Sequence, residues 1–305
     1  MGKVTVVGSF LVGLTLRAER FPAPGETVIA GDFDQGPGGK GSNQAVQAAR
    51  MGADVEFVGA VGNDDFGLMA EKLFAAEGVG TGHLRRISEL NTGLGFIILD
   101  RAGKNRILID PGATAALTVD DLDAAADGIS SSEIVITQLE IPVRIAAAAL
   151  RIARTAGATT ILNPAPAQEL PPEVLADVDV LTPNQIEARM LADLDAEDPM
   201  DDLEVCRLLL KRGVSCVILT RGASGATIVR ADGQEHVEPF PVDVVDSTGA
   251  GDAFNGTLAA SLSSGDPMST SARRAAAAGA LACTELGVIP SLPYTADVDK
   301  LITTA

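Results

Sequence analysis

The chain is organised around the stretch Val245-Asp246-Ser247-Thr248-Gly249-Ala250-Gly251-Asp252-Ala253-Phe254-Asn255-Gly256, which leads from an extended segment into a predicted helix of small residues. Small residues let a backbone approach a ligand closely, and the free N–H groups at a helix start favour a bound anion. Asp252 falls in the first turn, where a carboxylate can take a proton from a hydroxyl that attacks a bound phosphate. Packing glycines and a dipole-favoured acid would give the same pattern.

Composition and charge restrict the class of protein. The chain has 305 residues and an apolar content of 46%, enough for a substantial core. Its net charge of −18 argues against nucleic acid and anionic membranes as partners, because both are themselves negative. ATP stays possible, since local dipoles and Mg²⁺ bind a nucleotide. Three scattered cysteines and the absence of a long apolar segment predict a cytoplasmic protein with reduced thiols.

Apolar runs alternate with helical patterns along most of the chain, which predicts a mostly parallel α/β sheet in a single domain, residues 1–305. Two strand-like insertions, near 10–33 and 92–110, interrupt this order and predict a small sheet that stands off the main one as a lid. The predicted main strands are 4–7, 55–61, 133–139, 159–162, 178–181 and 216–220. The predicted helices are 42–51, 67–77, 120–127, 142–156, 184–192, 201–211, 250–263 and 268–284. The lid is predicted to contain a strand at 28–33 and a turn at 101–105.

Three familiar kinds of site lack their motifs. Lys40 is followed by Gly41 rather than Ser or Thr, so the segment is not a P-loop. The first strand is not followed by Gly-x-Gly-x-x-Gly, so an NAD-linked oxidoreductase is poorly supported. His83 and His236 are the only two histidines, which leaves almost no material for a Ser-His-Asp triad or a zinc hydrolase.

The remaining polar candidates cluster where predicted strands end, and ligands of doubly wound sheets collect at that edge. Glu140 is a candidate acceptor for a hydroxyl, and Asn43, after a glycine pair, can offer it an amide. Asn184 and Glu187 lie three residues apart and could serve Mg²⁺ and phosphate, or simply cap the helix that follows. The glycine loop 220–225 suits a nucleotide, although a plain hairpin would look the same.

At these residues the chain resembles the ribokinase (PfkB-type) family of sugar kinases over essentially its full length. The most specific matches are Gly38-Gly39-Lys40-Gly41-Ser42-Asn43-Gln44-Ala45 and Asp246-Ser247-Thr248-Gly249-Ala250-Gly251-Asp252, supported by 21–27, 138–140, 163–167 and 182–187. The resemblance implies a three-layer α/β/α sandwich with a β-lid that closes over a sugar and often forms a homodimer contact. It also implies ATP-dependent phosphorylation of a terminal sugar hydroxyl, with ribose to ribose 5-phosphate as the default, and Mg²⁺ and K⁺ as cofactors.

The resemblance further implies a role for each matching residue. Asp252 is expected to be the catalytic base, beside an anion hole formed by Gly249, Ala250 and Gly251. The expected sugar contacts are Gly38, Gly39, Lys40, Asn43, Glu140 and Asp252. The expected ATP contacts are Asn184, Glu187, Thr220, Gly222, Gly225 and Gly251, with Glu187 also holding Mg²⁺ indirectly. The expected monovalent-cation positions are Asp246, Thr248, Ala282, Glu285, Gly287 and Ser291.

One departure from the family concerns the sugar. After Gly8-Ser9 the family carries an Asn and an Asp that bind ribose hydroxyls, whereas this chain has Leu11 and Gly13. Each lost charge-assisted hydrogen bond weakens ribose binding by about 1.5–3 kcal/mol. The substrate could therefore be another sugar, a deoxy-sugar, a sugar derivative or a nucleoside. A sensor without turnover is a remote alternative, which the intact Asp252 opposes.

Overall fold

A computed structural model describes residues 2–102 and 104–304, with the backbone alone at Asn105. Met1, Gly103 and Ala305 lie outside the described residues, so the ends of the predicted domain 1–305 and part of the predicted turn 101–105 do as well. Within the described ranges the chain forms thirteen strands and twelve α-helices.

The elements follow one another as two interleaved series. The strands are β1 Lys3–Val7, β2 Leu11–Arg17, β3 Gly31–Gly38, β4 Asp54–Gly62, β5 Gly80–Ile87, β6 Gly93–Leu99, β7 Asn105–Asp110, β8 Ile134–Gln138, β9 Thr159–Asn163, β10 Val180–Leu181, β11 Cys216–Thr220, β12 Ala226–Arg230 and β13 Gly233–Val237. The helices are α1 Lys40–Arg50, α2 Asp65–Glu77, α3 Val119–Ala124, α4 Ala126–Ser130, α5 Val143–Ala156, α6 Pro172–Leu175, α7 Gln185–Leu191, α8 Asp202–Lys211, α9 Ala250–Ser263, α10 Met268–Ala282, α11 Val288–Ser291 and α12 Thr295–Thr304.

The main sheet has nine strands in the order β13-β12-β11-β10-β9-β8-β1-β4-β5. The seven strands from β11 to β5 are parallel, and β12 and β13 continue antiparallel at one edge. Neighbouring side chains of β8 point to opposite faces: Val135 packs in the core with Leu150 of α5, and Ile136 packs with Leu258 of α9. Helices therefore cover both faces, and the predicted three-layer α/β/α fold is confirmed.

The second sheet is made from the two predicted insertions, in the order β3-β2-β6-β7. Strand β2 pairs antiparallel with β3 and parallel with β6. The first insertion reaches Gly38 rather than residue 33, and the strand predicted at 28–33 is wrong because β3 occupies 31–38. Glycine and proline near residue 37 resemble a turn, yet an edge strand tolerates them because its backbone needs only one paired side.

Strand β5 was not predicted. It lies at the edge of the main sheet beside β4, and most of its side chains are exposed or partly exposed, so it lacks an apolar run. Other bounds also differ from the predictions: α1 begins at Lys40 rather than 42, α2 begins at Asp65 rather than 67, β10 is confined to Val180–Leu181, α10 ends at Ala282 rather than 284, and the helix predicted at 120–127 is divided into α3 and α4. None of these changes moves the carboxyl edge of the parallel strands.

Candidate active site at the carboxyl edge of the sheet

The predicted helix over 250–263 is confirmed as α9, and its start has an unusual backbone. Gly249 is the N-cap residue, with a φ of 83°. A Cβ at this position would lie 2.7 Å from Cγ1 of Val288, so both the conformation and the space require glycine. The N–H of Ala250 reaches the carbonyl of Ser247 at 3.3 Å, and Gly251 is exposed. The helix start thus presents its positive end to an open edge.

Asp252 lies in the first turn of α9 with 6% of its surface exposed. Its Oδ2 accepts a hydrogen bond from Nδ2 of Asn43 at 2.8 Å, and its Oδ1 accepts one from Nε2 of Gln44 at 2.9 Å. Helix α1 can come this close because a Cβ at Gly256 would lie only 2.6 Å from the carbonyl oxygen of Gln44. The structure therefore brings the predicted base directly against the predicted sugar-binding helix.

The surroundings of Asp252 shift its pKa in opposite directions. Burial raises the pKa of Asp252, and the charge of Glu140 acts in the same direction. The ammonium of Lys40 and the two amide donors, Asn43 and Gln44, lower the pKa, but the net direction is upward. A carboxyl group tuned in this way suits proton transfer better than an ordinary exposed aspartate.

Lys40 is the cation shared by this region. Burial lowers the pKa of its ammonium, whereas the nearby charges of Asp252, Glu140 and Glu187 raise it by more, so the pKa lies above its usual value. The same charge favours ionisation of Glu187, whose pKa is nevertheless raised by burial. The predicted sugar and nucleotide residues thus meet around one ammonium group.

Glu140 stabilises the local structure through one carboxylate oxygen and keeps the other available for a ligand. Its Oε2 accepts hydrogen bonds from Oγ of Ser9 at 2.5 Å and from the backbone N–H of Lys40 at 2.8 Å. Lys40 is the first residue of α1, so its N–H has no partner inside the helix. Glu140 therefore caps α1 from the end of β8 and fixes the Gly38-Gly39 turn.

The predicted nucleotide residues also lie together. Asn184 is the N-cap of α7 and forms a capping box with Glu187, so the capping interpretation describes this pair. Asn184 forms a parallel bridge with Thr220, whose N–H donates to the carbonyl of Pro183 at 3.0 Å. The loop 220–225 that follows is a tight connection to β12, with a 3-10 turn at Gly222–Ser224.

The predicted cation residues fall on two loops that the structure places side by side. The carbonyl of Cys283 accepts the N–H of Asp246 at 3.2 Å. The carboxylate of Asp246 accepts the N–H of Thr248 at 2.9 Å and that of Gly287 at 3.5 Å. The other predicted members flank the second loop: Ala282, Glu285 and Ser291. The carboxylate oxygens of Asp246 are thus hydrogen-bonded within the loops. Backbone carbonyls are therefore the better candidates to ligate a cation.

A buried amide network at the strand ends was not assigned a role from the sequence. Nε2 of Gln138 donates to Oε1 of Gln44 at 2.6 Å, and Nε2 of Gln44 donates to Oδ1 of Asn163 at 3.1 Å. Farther along, Oγ1 of Thr182 and Oδ1 of Asn255 are 2.6 Å apart, with the hydroxyl donating. Gln44 lies inside a helix and gives no periodic signal, so only the position of Gln138, Asn163 and Thr182 at or just after strand ends could have suggested this network.

Within the described ranges, no group of three or more His, Cys, Asp or Glu side chains is arranged to hold a metal ion. Of the helices that the structure describes, none combines the length and the apolar character needed to span a membrane.

The chain is similar in sequence to proteins of a known family. The sequence matches the pfkB family of carbohydrate kinases over residues 1–295. A ribokinase of Haemophilus influenzae is 33% identical over 290 residues, 95% of each chain. A bifunctional ribokinase/ribose-5-phosphate isomerase A of Fructilactobacillus sanfranciscensis is 41% identical over 86% of this chain, which spans about half (49%) of that relative. A deoxyribokinase of Salmonella typhimurium is 32% identical over 84% of each chain.

Solved structures agree with the sequence comparison. A ribokinase of Arabidopsis thaliana, solved with ribose and ATP, superposes with a TM-score of 0.92 at 30% identity, over 100% of this chain and 99% of the other. A ribokinase of Thermotoga maritima gives a TM-score of 0.91 at 35% identity, over 99% and 100% of the two chains.

Proposed function

Because the chain belongs to the pfkB family of carbohydrate kinases, it is a ribokinase-like sugar kinase, and we propose that it transfers the γ-phosphate of ATP to a terminal hydroxyl of a small sugar. The observation that carries this proposal is the buried Asp252 at the amino end of α9, held by Asn43 and Gln44 beside Lys40. ATP and the sugar are the small-molecule partners; nucleic acid is not a partner of so acidic a chain.

In the proposed reaction, Asp252 removes the proton from the attacking sugar hydroxyl. The hydroxyl oxygen forms a bond to the γ-phosphorus while the bond from that phosphorus to the leaving ADP oxygen breaks. The N–H groups of Gly249 and Gly251 would stabilise charge on the transferring group, and that of Ala250 would join them by leaving its 3.3 Å contact with the carbonyl of Ser247. Closure of the lid excludes water that would otherwise hydrolyse ATP.

The sugar site proposed here lies between α1 and the lid. Gly38 and Gly39 bring backbone close to the substrate, and Lys40 supplies positive charge. Oδ1 of Asn43 is buried without a hydrogen-bond partner among the described residues, and it suits a sugar hydroxyl as donor. Glu140 contributes its free oxygen, because its other oxygen caps α1.

Mg²⁺ fits the proposed nucleotide site through water and phosphate rather than through a cage of side chains. Glu187 offers a partly buried carboxylate, and burial raises its pKa. Asn184, Thr220, Gly222 and Gly225 would hold the nucleotide. When bound, Mg²⁺ supplies neutralising charge at the phosphate oxygens.

K⁺ fits the two adjoining loops, since hard oxygen ligands suit it and the loops carry many backbone carbonyls. Asp246 and Gly287 join the loops, and a monovalent cation between them would stabilise the turn that leads to Gly249. The remaining positions proposed for this site are Thr248, Ala282, Glu285 and Ser291. We expect K⁺ to raise turnover by ordering this turn.

Ribose is the default substrate, but the lid favours a deoxy-sugar as a second candidate. Cross-strand partners share a face of a sheet, and Leu11 pairs with Gly38 and Gly93. Gly13 in turn pairs with Gly36 and Gly95. The six residues of these two cross-strand rows share one face of the lid sheet. Leu11 is the only one of the six that has a side chain, and it is apolar, so the rows supply no side-chain hydrogen bond to a sugar hydroxyl.

A coupled ADP-release assay tests the proposed function. Ribose, 2-deoxyribose, other pentoses, hexoses, polyols and nucleosides are each presented with ATP and Mg²⁺, with and without K⁺. The proposal predicts ADP release that depends on one of the sugars and is stimulated by K⁺. No ADP release above the sugar-free rate with any of them would contradict it and favour a sensor without turnover.

We further propose a cytoplasmic homodimer that associates through the lid. The lid exposes large apolar side chains, among them Ile29 at 94%, Leu108 at 71% and Phe33 at 61% exposure. An isolated chain seldom leaves such a patch in water. Buried, unpaired cysteines at 206 and 216 suit a reducing compartment.

A further inference from the structure

The side-chain amide of Gln44 is buried, and both its nitrogen protons and its oxygen are hydrogen-bonded within the protein. One N–H of Nε2 donates to Oδ1 of Asp252 at 2.9 Å, and the other donates to Oδ1 of Asn163 at 3.1 Å. Its Oε1 accepts from Nε2 of Gln138 at 2.6 Å, and the residue has no exposed surface. Gln44 therefore cannot touch a substrate, yet it contacts the residue proposed to act as the base.

The direction of this amide is set by a backbone carbonyl that cannot rotate. The carbonyl of Thr182 can only accept, so it holds Nδ2 of Asn163 at 3.3 Å. Oδ1 of Asn163 must then face Gln44, and an acceptor there turns Nε2 of Gln44 toward Asp252. The donor from Gln138 on the opposite side enforces the same orientation.

We propose that Gln44 is a positioning residue for phosphoryl transfer: its hydrogen bond holds the Asp252 carboxylate ionised and in one orientation, with the free lone pairs turned toward the sugar hydroxyl. The inference rests on the proposed function of Asp252 as the base. Asn43 holds the other oxygen of the same carboxylate, but Asn43 also adjoins the sugar, whereas Gln44 acts on the carboxylate alone.

The charged groups around Asp252 determine the direction in which its pKa moves when the Gln44 donor is removed. Lys40 of α1 stabilises the carboxylate, Glu140 at the end of β8 opposes it, and Glu187 of α7 competes for the charge of Lys40. Removing the Gln44 donor changes none of these charges and raises the pKa of Asp252 further above its usual value. The fraction of ionised base at low pH then falls.

The test replaces Gln44 by Met, which keeps the length of the side chain and removes the amide. With ATP and either ribose or 2-deoxyribose, whichever the wild type phosphorylates, we expect kcat to fall about 10-fold or more. KM for the sugar stays nearly constant, and the acid limb of the kcat/KM profile moves to higher pH. An unshifted acid limb with normal kcat would overturn the inference.

Gln47→Met is the matched control. Gln47 lies one turn along the same helix, is equally buried, and donates to Oγ1 of Thr257 and the carbonyl of Pro293. We expect this variant to lose stability as Gln44→Met does but to keep the wild-type pH profile. If both variants move the acid limb equally, the role of Gln44 is merely structural.

A second variant and a second readout keep the test independent of the substrate. Gln138→Met leaves Gln44 in place but removes its orienting donor, so we expect a smaller shift in the same direction. The ¹³Cγ signal of Asp252, assigned by its loss in Asp252→Asn, reports the titration without any sugar. A midpoint that is unchanged in Gln44→Met, while Asp252→Asn is inactive, would refute the inference but not the function; an active Asp252→Asn would refute the function.

Discussion

At the scale of single residues, the proposed chemistry requires that the buried carboxylate of Asp252 remain able to accept a proton. Burial raises the pKa of Asp252, which strengthens the base but also favours its protonation. The ammonium of Lys40 and the amides of Asn43 and Gln44 limit that rise. The net pKa stays above the usual value for aspartate, which suits a group that accepts a proton.

Lys40→Met tests this balance through the pH dependence of turnover. Because the folded-state pKa of Asp252 is already raised, activity is present above that pKa and is lost as the pH falls through it. Removing the ammonium raises the pKa further, so we expect the acid limb of the kcat/KM profile to move to higher pH. Lys40→Arg retains the charge and serves as the control. An unmoved limb in Lys40→Met would exclude a compensating role for the ammonium.

Asp252 could be predicted at this scale and Gln44 could not. Asp252 follows small residues at a helix start, a local pattern that carries its own chemical meaning. The partner of Gln44 is 208 positions away in sequence, and Gln44 itself looks like an ordinary helix residue. Pairings of this kind depend on how α1 meets α9, which no local pattern contains.

At the scale of elements, the start of α2 is tied to the second lid segment. Asp64, the N-cap of α2, accepts the N–H of Gly67 at 2.8 Å. The same carboxylate accepts the N–H of Thr92 at 2.8 Å and its hydroxyl at 2.7 Å, just before β6 begins. Partial burial raises the pKa of Asp64, but these hydrogen bonds lower it by more.

Asp64→Ala should reduce the free energy of unfolding by about 1–2 kcal/mol at pH 7, because it removes a helix cap and leaves the N–H and the hydroxyl proton of Thr92 without their acceptor. A carboxylate with a lowered folded-state pKa stabilises above the unfolded-state pKa, and the stabilisation is lost as the pH falls through the folded-state value. Urea titrations should therefore show a difference in the free energy of unfolding between wild type and variant that becomes smaller below about pH 4. A difference independent of pH would contradict this account.

Gly249→Ala tests the start of α9. The new Cβ would meet Val288 at 2.7 Å in a backbone conformation that costs alanine about 1–2 kcal/mol, so we expect lower stability and lower kcat. Gly265→Ala is the control, because Gly265 has a similar φ of 87° with open space around it at the far end of α9. Thermal unfolding should detect both substitutions, whereas only Gly249→Ala should lower turnover. Normal turnover in Gly249→Ala would contradict the anion-hole proposal.

The elements that sequence patterns predicted are those that bury apolar side chains. The strands at the centre of the main sheet are apolar on both faces, so their runs are unmistakable. Strands β3 and β5 form edges, where backbone pairing alone suffices and polar or small residues are tolerated. The absence of β5 from the predicted pattern, and the placement of the β3 strand at 28–33 instead of 31–38, have this common cause.

At the scale of the whole molecule, the lid stands on one side of the site with much of its apolar surface uncovered. Ile107, Leu108 and Ile109 of β7 are each more than half exposed. Strand β7 is also an edge of its sheet, which makes it suited to contact a second copy. The proposed homodimer would bury this surface and stabilise the lid.

Leu108→Glu should therefore convert the dimer into a monomer, because each subunit would bury an unpaired charge in the interface. Val119→Glu, on α3 and 47% exposed, places the same charge away from the lid and serves as the control. Light scattering coupled to size-exclusion chromatography distinguishes the two states. A monomeric wild type, or a dimer unaffected by Leu108→Glu, would contradict association through the lid.

The most direct test of the central claim is the turnover of Asp252→Asn, measured as ADP release with the preferred sugar. Asparagine preserves the shape and leaves the neighbours of α9 in place, but it cannot accept the proton. The account predicts that kcat falls about 10²–10⁴-fold while the protein stays folded and still binds ATP. A folded Asp252→Asn variant with near-normal kcat would show that this carboxylate is not the base.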